Sequence, residues 1–345
     1  MELGHLLAPS LVTRVAEGLD AVEQRLRALT SSPGGLVRHS SRHLLAAGGK
    51  RFRPLVAVLA ASAVDPDIAA TRPRDAAVAV ELLHLSTLYH DDVIDAAQMR
   101  RGVVSVNARW GERLAVIAGD RLTALSLEAA ADAGDEVPAL LARTYARLVA
   151  GERLETRLVG RLDAGVPAYL DVVDGKTASL IAAAARSGGV AAGATTADRD
   201  ALEAWGRTIG AAFQVADDLL DLTGTAAEAG KPVGHDLALG VYTWPVLDAM
   251  TTPAAATLRR LLHGPLPHEP DVVRRSVAVV RAAGSIERAT ALVHRLLARA
   301  DQHLERLPAG AATRALGDLG RTLVPAPEVP PSVPAAPREI QAVGA

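Results

Sequence analysis

The chain has 345 residues, with 37 basic and 39 acidic side chains. A formal net charge of −2 argues against a nucleic-acid-binding protein, which would carry a basic excess or stripe. Cysteine is absent, so a disulfide scaffold, a thiol nucleophile and a thiolate metal site are excluded. No stretch approaches the ~18 apolar residues of a transmembrane helix, and the N-terminus does not read as a secretory signal. We therefore expect a cytoplasmic protein.

Apolar residues at three- and four-residue spacing predict helices almost throughout the chain. The predicted helices include residues 12–30, 74–98, 114–134, 137–160, 197–224 and 287–307. Alternation typical of strands is nearly absent. We expect about ten to thirteen helices joined by short loops, in a single all-α domain over residues 1–322.

The last segment differs in composition from the rest of the chain. Residues 323–345 contain six of the twenty prolines and no periodic apolar face. This composition predicts a disordered or polyproline-like tail.

Two clusters of three aspartates lie on predicted helices whose other residues are mostly apolar. They are DDVID, with Asp91, Asp92 and Asp95, and DDLLD, with Asp217, Asp218 and Asp221. Residues four apart share a helix face, so each cluster gathers repelling carboxylates that need cations if they are buried. A solvated acidic face would explain one such cluster. Two clusters on apolar helices favour Mg²⁺, which binds a few carboxylates together with water and substrate phosphates.

Cationic residues accompany the clusters. Arg100 and Arg101 follow the first cluster by about one and a half helical turns. Lys50 and Arg53 lie in a Gly-Gly turn that opens a predicted helix, and the chain's other two lysines, Lys176 and Lys231, also follow a glycine. This set suits one diphosphate bridged by metal and a second held without it. Neither a GxxxxGK[ST] loop nor a GxGxxG fingerprint of nucleotide binding occurs.

Over residues 35–321 the sequence closely resembles the trans-prenyl diphosphate synthases, or polyprenyl synthetases. The resemblance rests on GGKRFRP (48–54), ELLHLSTLYHDDVIDAAQMRRG (81–102), GKT (175–177), FQVADDLLD (213–221) and GKPVGHD (230–236), in the family's order. It implies an all-α, isoprenoid-synthase-type helical bundle around a central active-site cavity, and a homodimer. It also implies Mg²⁺-dependent joining of isopentenyl diphosphate head to tail onto an allylic diphosphate.

The resemblance also implies residue roles. The metal ligands would be Asp91, Asp95 and Asp217, supported by Asp92, Asp218 and Asp221. The allylic diphosphate and the developing cation would be held by Arg100, Lys176, Thr177, Gln214 and Lys231. Isopentenyl diphosphate would be held by Lys50, Arg53, His84 and Arg101. Released diphosphate is expected to take the final proton, with His84 and His90 as weaker candidates.

Two positions depart from the family's pattern. Val241 stands where a second lysine often follows, and Glu152 stands where many members have glutamine. Neither change removes a metal ligand, so an active enzyme is still expected.

Small side chains precede the first cluster and predict a long product. In the family, large aromatic residues at the places of Ser86 and Thr87 form a floor that stops elongation early. Because both are small here, the floor would lie deeper, near Leu82 and Leu83, whereas Tyr89 would point away. We therefore predict a medium- or long-chain all-trans product, whose release would involve transient membrane contact.

Other functions remain open at this point. A geranylgeranyl or farnesyl diphosphate synthase would share every motif. A non-catalytic subunit of a heteromeric synthase would be expected to lack aspartates or the arginine pair. A terpene cyclase would carry a different second metal motif, and a helical scaffold would not need either cluster.

Overall fold

The computed structural model describes residues 9–31, 35–224 and 233–323. The helices of the first two ranges are α1 (Pro9–Thr30), α2 (Gly35–Ala46), α3 (Phe52–Val64), α4 (Thr71–Ile94), α5 (Val106–Trp110), α6 (Glu112–Ala133), α7 (Val137–Leu158), α8 (Gly165–Val173), α9 (Ser179–Ala191) and α10 (Thr196–Thr223). The third range contains α11 (His235–Ala238), α12 (Trp244–Ala249), α13 (Ala255–Leu261), α14 (Pro270–Ala282), α15 (Ser285–Leu304) and α16 (Ala311–Leu323).

The all-α prediction is confirmed, and the long predicted helices coincide with observed ones to within a few residues. The described residues form sixteen α-helices, more than the number expected. The surplus comes from short helices such as α5 and α11, of 5 and 4 residues, which are too brief to show a periodic pattern.

One small sheet corrects the prediction for the segment after α4. Helix α4 ends at Ile94, and Ala96 has φ 49°, which a continuing helix does not allow. Strands β1 (Met99–Arg100) and β2 (Val103–Val104) then form an antiparallel hairpin. Arg100 and Arg101 therefore lie on this hairpin and its turn rather than on helical turns.

The core has two parts, and α10 belongs to both. Trp205 and Ile209, in its N-terminal half, pack in a cluster with α1–α7, α9, the C-terminal end of α15 and α16. Val215 and Leu219, in its C-terminal half, pack with α8 and α11–α15. Since α10 also carries the second aspartate cluster, its packing on both sides fixes the direction of those carboxylates.

Within the described ranges, no helix combines the length and the apolar character needed to cross a membrane. Lys231 and nearly all of the predicted tail at 323–345 lie outside the described residues.

Candidate active site

The first aspartate cluster occupies the C-terminal end of α4. Asp91 is partly buried, Asp92 is buried, and Asp95 is exposed where the helix ends. Burial raises the pKa of Asp91 to about 7, and the carboxylate of Glu152 adds to the shift more than Lys176 opposes it. A carboxylate in this position lacks sufficient positive charge around it, and a divalent cation would supply that charge.

Asp92 fastens the hairpin to α4. Arg100 Nε donates to Asp92 Oδ1 at 2.7 Å, and Asn107 Nδ2 donates to the Asp92 carbonyl oxygen at 3.0 Å. The other carboxylate oxygen, Oδ2, is buried without a hydrogen-bond partner among the described residues. Asp92 therefore directs the Arg100 guanidinium toward the cluster.

A single π-helical turn connects the two clusters. Residues Asp174–Ala178 form this turn between α8 and α9. Lys176 Nζ pairs with Glu152, at 2.9 Å, and with Glu155, both on α7. The next residue, Thr177, donates to Gln214 Oε1 on α10 at 2.8 Å. The two adjacent side chains of this turn therefore reach different helices, Lys176 reaching α7 and Thr177 reaching α10.

Two glycines set the position of Lys176. A Cβ atom on Gly151 of α7 would lie 2.7 Å from the Lys176 backbone nitrogen, and one on Gly175 would lie 2.9 Å from Gly151 Cα. Any side chain at either position would push the π turn away from α7. The backbone contact therefore brings the ammonium group to Glu152 and, through it, to Asp91.

We expect Gly151→Ala to lower turnover at least ~10-fold by displacing Lys176. In a helix interior, alanine is otherwise favoured over glycine by about 1 kcal/mol, so any loss must come from the close backbone contact. Gly264→Ala is the control, because a Cβ atom there would meet nothing within 4 Å. Steady-state rates of both variants test this, and normal turnover of Gly151→Ala would contradict it.

The second cluster is organised by hydrogen bonds to Asp218. This buried carboxylate accepts from Tyr169 Oη and, at 3.0 Å, from Gln214 Nε2. Burial raises its pKa to about 7, and the carboxylates of Asp236 and Asp217 also raise it. Asp217 itself is exposed on the same helix. The hydrogen bonds from Thr177 to Gln214 and from Gln214 to Asp218 link the π turn to this cluster.

Asp221 connects α10 to the segment that follows it. Its backbone carbonyl accepts from Gly234 N at 2.7 Å, and its Oδ2 accepts from Asp236 N at 3.3 Å. Asp221 is buried, so its contribution is to bring Asp236 to the second cluster.

A separate basic cluster lies around the start of α3 and the hairpin. The buried Glu81 on α4 accepts from Arg51 Nη1 at 2.9 Å, and the charges of Arg53 and Arg101 also act on it. Burial lowers the pKa of Arg53 to about 10, with repulsion from Arg101 adding to the effect. Burial and the surrounding arginines hold the pKa of His84 well below its usual value, so the imidazole is neutral at neutral pH.

Strained backbone supports this cluster. Arg51 has φ 48° and Arg101 has φ 52°, in the left-handed region that side chains rarely adopt. Arg101 Nη1 donates to the Gly48 carbonyl at 2.5 Å, and Lys50 is exposed nearby in the chain. Arg53 Nε is buried without a hydrogen-bond partner among the residues described. Crowded guanidinium groups with a free donor form a site for an anion such as a diphosphate.

The two small side chains before the first cluster face different neighbours. Ser86 is fully buried and its Oγ lies 2.6 Å from Thr123 Oγ1 on α6, whereas Thr87 lines a cavity. Tyr89 points away from the site, as expected, and donates to the Ser40 carbonyl at 2.7 Å. A floor at Leu82 and Leu83 stays a prediction; both side chains are buried in the core.

The cavity has a volume of about 240 Å³ and lies between α4 and α7. Its polar end is formed by Asp91, Glu152 and Lys176, and its apolar end includes Thr87 and Leu148. A polar head group and an apolar chain would therefore fit in one orientation.

The carboxylates suit a divalent metal that substrate helps to bind. Oxygen donors match hard cations, and Asp92 Oδ2 at the first cluster has no hydrogen-bond partner among the described residues. In the described ranges, no three acidic or histidine side chains converge closely enough to form a protein-only metal cage. This agrees with a site in which each cluster gives one or two ligands while water and diphosphate supply the others.

Several residues of the site were not predicted from the sequence. Glu81, Glu155, Tyr169 and Asp236 all contact or influence predicted residues. Glu81 sits in an apolar helical run, where a buried charge needs partners, and this signal could have found it. Tyr169 and Glu155 are distant in sequence from the groups they hold, so only the fold reveals them.

The sequence is similar to known proteins over most of its length. A profile of the family described as "Polyprenyl synthetase" matches residues 35–280. The chain is 41% identical to a nonaprenyl diphosphate synthase of Mycobacterium tuberculosis over 308 residues, which cover 88% of this chain and 91% of that protein. It is 38% identical to heptaprenyl diphosphate synthase component 2 of Geobacillus stearothermophilus, with 88% and 94% of the two chains covered.

Solved structures show the same similarity. A decaprenyl diphosphate synthase from Rhodobacter capsulatus matches with a TM-score of 0.83 and 32% identity, covering 91% of this chain and 98% of that one. A polyprenyl synthase from Caulobacter crescentus, complexed with calcium and isoprenyl diphosphate, matches with a TM-score of 0.81 and 32% identity, covering 91% and 96%.

Proposed function

Because the chain belongs to the polyprenyl synthetase family, whose members are prenyltransferases, we propose that it condenses isopentenyl diphosphate with an allylic diphosphate to give a medium- or long-chain all-trans polyprenyl diphosphate. One observation carries the proposal. The π turn joins the two aspartate clusters through Lys176 and Thr177, while the arginine cluster around Glu81 is separate. The site therefore provides one place for a metal-bound diphosphate and another for a diphosphate held by arginines.

We assign the metal as Mg²⁺, with Asp91, Asp95 and Asp217 as ligands. When bound, it would neutralise charge on the leaving diphosphate as the allylic C–O bond breaks. Lys176 is fixed by Glu152 and Glu155, and Arg100 by Asp92, so both cations would meet the diphosphate without reorganisation.

The second substrate is positioned by the basic cluster. Arg53 and Arg101 would bind its diphosphate, together with the exposed Lys50. The neutral His84 can donate one hydrogen bond without adding charge. The double bond of isopentenyl diphosphate then attacks the allylic carbon, and released diphosphate takes the proton lost from the new unit. The apolar end of the cavity keeps water from the cation.

The departures from the family pattern leave this scheme intact. Val241 lies next to the second cluster, with its backbone N donating to the Asp236 carbonyl at 2.9 Å. Glu152, in place of glutamine, gives Lys176 a charged partner. We propose that Lys176, Arg100 and the metal together compensate for the absent lysine.

The direct test is incubation with isopentenyl diphosphate, an allylic diphosphate and Mg²⁺, followed by chromatography of the dephosphorylated products. Linear products of six or more isoprene units are expected from the proposal. Products of three or four units would favour the shorter-chain alternative. One relative that supports this alternative is named a geranylgeranyl diphosphate synthase, from Methanosarcina mazei. Cyclic hydrocarbons would indicate a terpene cyclase, and no product would favour a non-catalytic subunit.

We also propose a homodimer. Val116, Ile117 and Leu127 on α6 are large apolar side chains that remain exposed, with Ile117 51% exposed. A second copy would cover this face. Light scattering of the purified protein tests it, and a monomer that gains activity only with a second protein would instead match the component role in the name of the Geobacillus relative. Cytoplasmic location and transient membrane contact at product release remain predictions.

A further inference from the structure

The π turn Asp174–Ala178 places one extra residue between α8 and α9. The backbone N–H of Ser179 donates to the Asp174 carbonyl, five residues earlier, as a π turn requires. Such turns are rare, and the same residues could otherwise form regular α-helical turns. Losing the extra residue would rotate α8 against α9 by about 100°, the angle between successive residues of an α-helix. Lys176 and Thr177 could then not both keep their present partners on α7 and α10.

Close packing and a side-chain hydrogen bond support the end of the turn. A Cβ atom on Gly210 of α10 would lie 2.6 Å from Ala178 Cα, so the last residue of the turn lies directly against that helix. Ser179 Oγ donates to the Gly175 carbonyl at 2.7 Å. These contacts hold the part of the turn that continues into α9.

An ion pair holds the first residue of the turn. Arg207 on α10 donates from Nη1 to Asp174 Oδ1, and from Nη2 to Glu203 Oε1 at 3.1 Å. The second bond orients the guanidinium plane. Trp205 and Ile209, on either side of Arg207 in the sequence, are buried in the core, so the backbone that carries the arginine is fixed. Arg207 therefore connects the start of the turn to a rigid part of α10.

A second arginine joins the same group of charges without touching the turn. Arg186 on α9 donates from Nη1 to Glu203 Oε2 at 3.0 Å and to Asp200 Oδ1 at 2.6 Å. Among the described residues, Asp174 forms its ion pair with Arg207 only. The two arginines share Glu203, so Arg186 is a matched control for Arg207.

We propose that Arg207 is a positioning residue, whose ion pair with Asp174 keeps the turn π-helical and so keeps Lys176 and Thr177 directed at the allylic diphosphate. This inference rests on the proposed function, in which those two residues bind that diphosphate. Neither Arg207 nor Asp174 is among the described residues that line the cavity between α4 and α7. A change at either one would therefore act on the substrate through the turn.

The test measures initial rates of the unchanged protein, Arg207→Met, Asp174→Asn and the double variant, with each substrate varied separately. Misplacing a catalytic group by about 1 Å can cost up to about 100-fold, so each single variant should raise the KM for the allylic substrate about 10-fold or more. The KM for isopentenyl diphosphate should stay within about twofold, since the basic cluster is separate. The double variant should be no worse than either single one, because all three lose the same contact.

Arg186→Met removes a charge from the same group but leaves the pair at the turn, so its allylic KM should stay within about twofold. A merely structural role of Arg207 would lower melting temperature and kcat and leave both KM values unaltered. Asp174→Asn changes a largely exposed carboxylate and decides the matter if Arg207→Met folds poorly.

An unchanged allylic KM in the folded variants, an equal rise in both KM values, or additive losses in the double variant would overturn the inference alone. Absence of elongated product from the unchanged protein would overturn the proposed function, and this inference with it.

Discussion

Asp91→Ala and Asp217→Ala are each expected to lower turnover by about 10³-fold or more, because a metal site acts as a unit and loses most of its effect when one ligand is removed. Asp91 stands at the polar end of the cavity, and Asp217 lies on the exposed side of α10. Asp163→Ala is the control, since this carboxylate is exposed and pairs only with Arg161 among the described residues.

Helical circular dichroism separates loss of chemistry from loss of fold in these variants. Removing Asp91 takes away a partly buried carboxylate whose pKa is raised to about 7, so the folded state should not be destabilised by the change. A variant that keeps its helix content and melting temperature but loses turnover would support a catalytic role. Full activity of either variant, or of the unchanged protein in chelator, would contradict it.

Arg53→Met is expected to raise the KM for isopentenyl diphosphate by about 10- to 100-fold, while the KM for the allylic substrate stays within about twofold. A hydrogen bond to a charged group contributes about 1.5–3 kcal/mol, which corresponds to this range. Arg53 has a buried Nε without a partner among the described residues, so a bound diphosphate is the group that would satisfy it.

The structure offers a matched control for this arginine. Arg299 is exposed on α15, and Arg299→Met removes the same charge at a distance from the basic cluster. Initial rates measured while each substrate is varied separately distinguish the two sites. Equal increases in both KM values, or none, would show that Arg53 does not bind the second diphosphate.

The parts of the site predicted from the sequence are those set by local spacing. Asp91 and Asp95 are four residues apart on one helix, so their shared face follows from helical geometry. The Gly-Gly turn before α3 is likewise predicted from residues that are adjacent in the sequence. The hairpin carrying Arg100 and Arg101 was missed because its strands have only two residues each, too few for alternation to show.

The remaining features depend on tertiary packing. The contact of Gly151 with Gly175 joins α7 to the π turn, and nothing in the sequence around either glycine predicts that contact. Arg207 likewise reads as an ordinary helical residue until Asp174 is seen beside it. Ser86 and Thr87 are adjacent and both small, yet only Thr87 lines the cavity, because α6 covers Ser86.

The most direct measurement is calorimetric titration of the protein with an unreactive allylic thiolodiphosphate, with Mg²⁺ and again in chelator. If the two clusters bind the diphosphate through shared metal, binding should require Mg²⁺ and should weaken by at least about 100-fold in both Asp91→Ala and Asp217→Ala. Binding of equal strength in chelator, or undiminished binding by either variant, would contradict a diphosphate bridged by metal between α4 and α10.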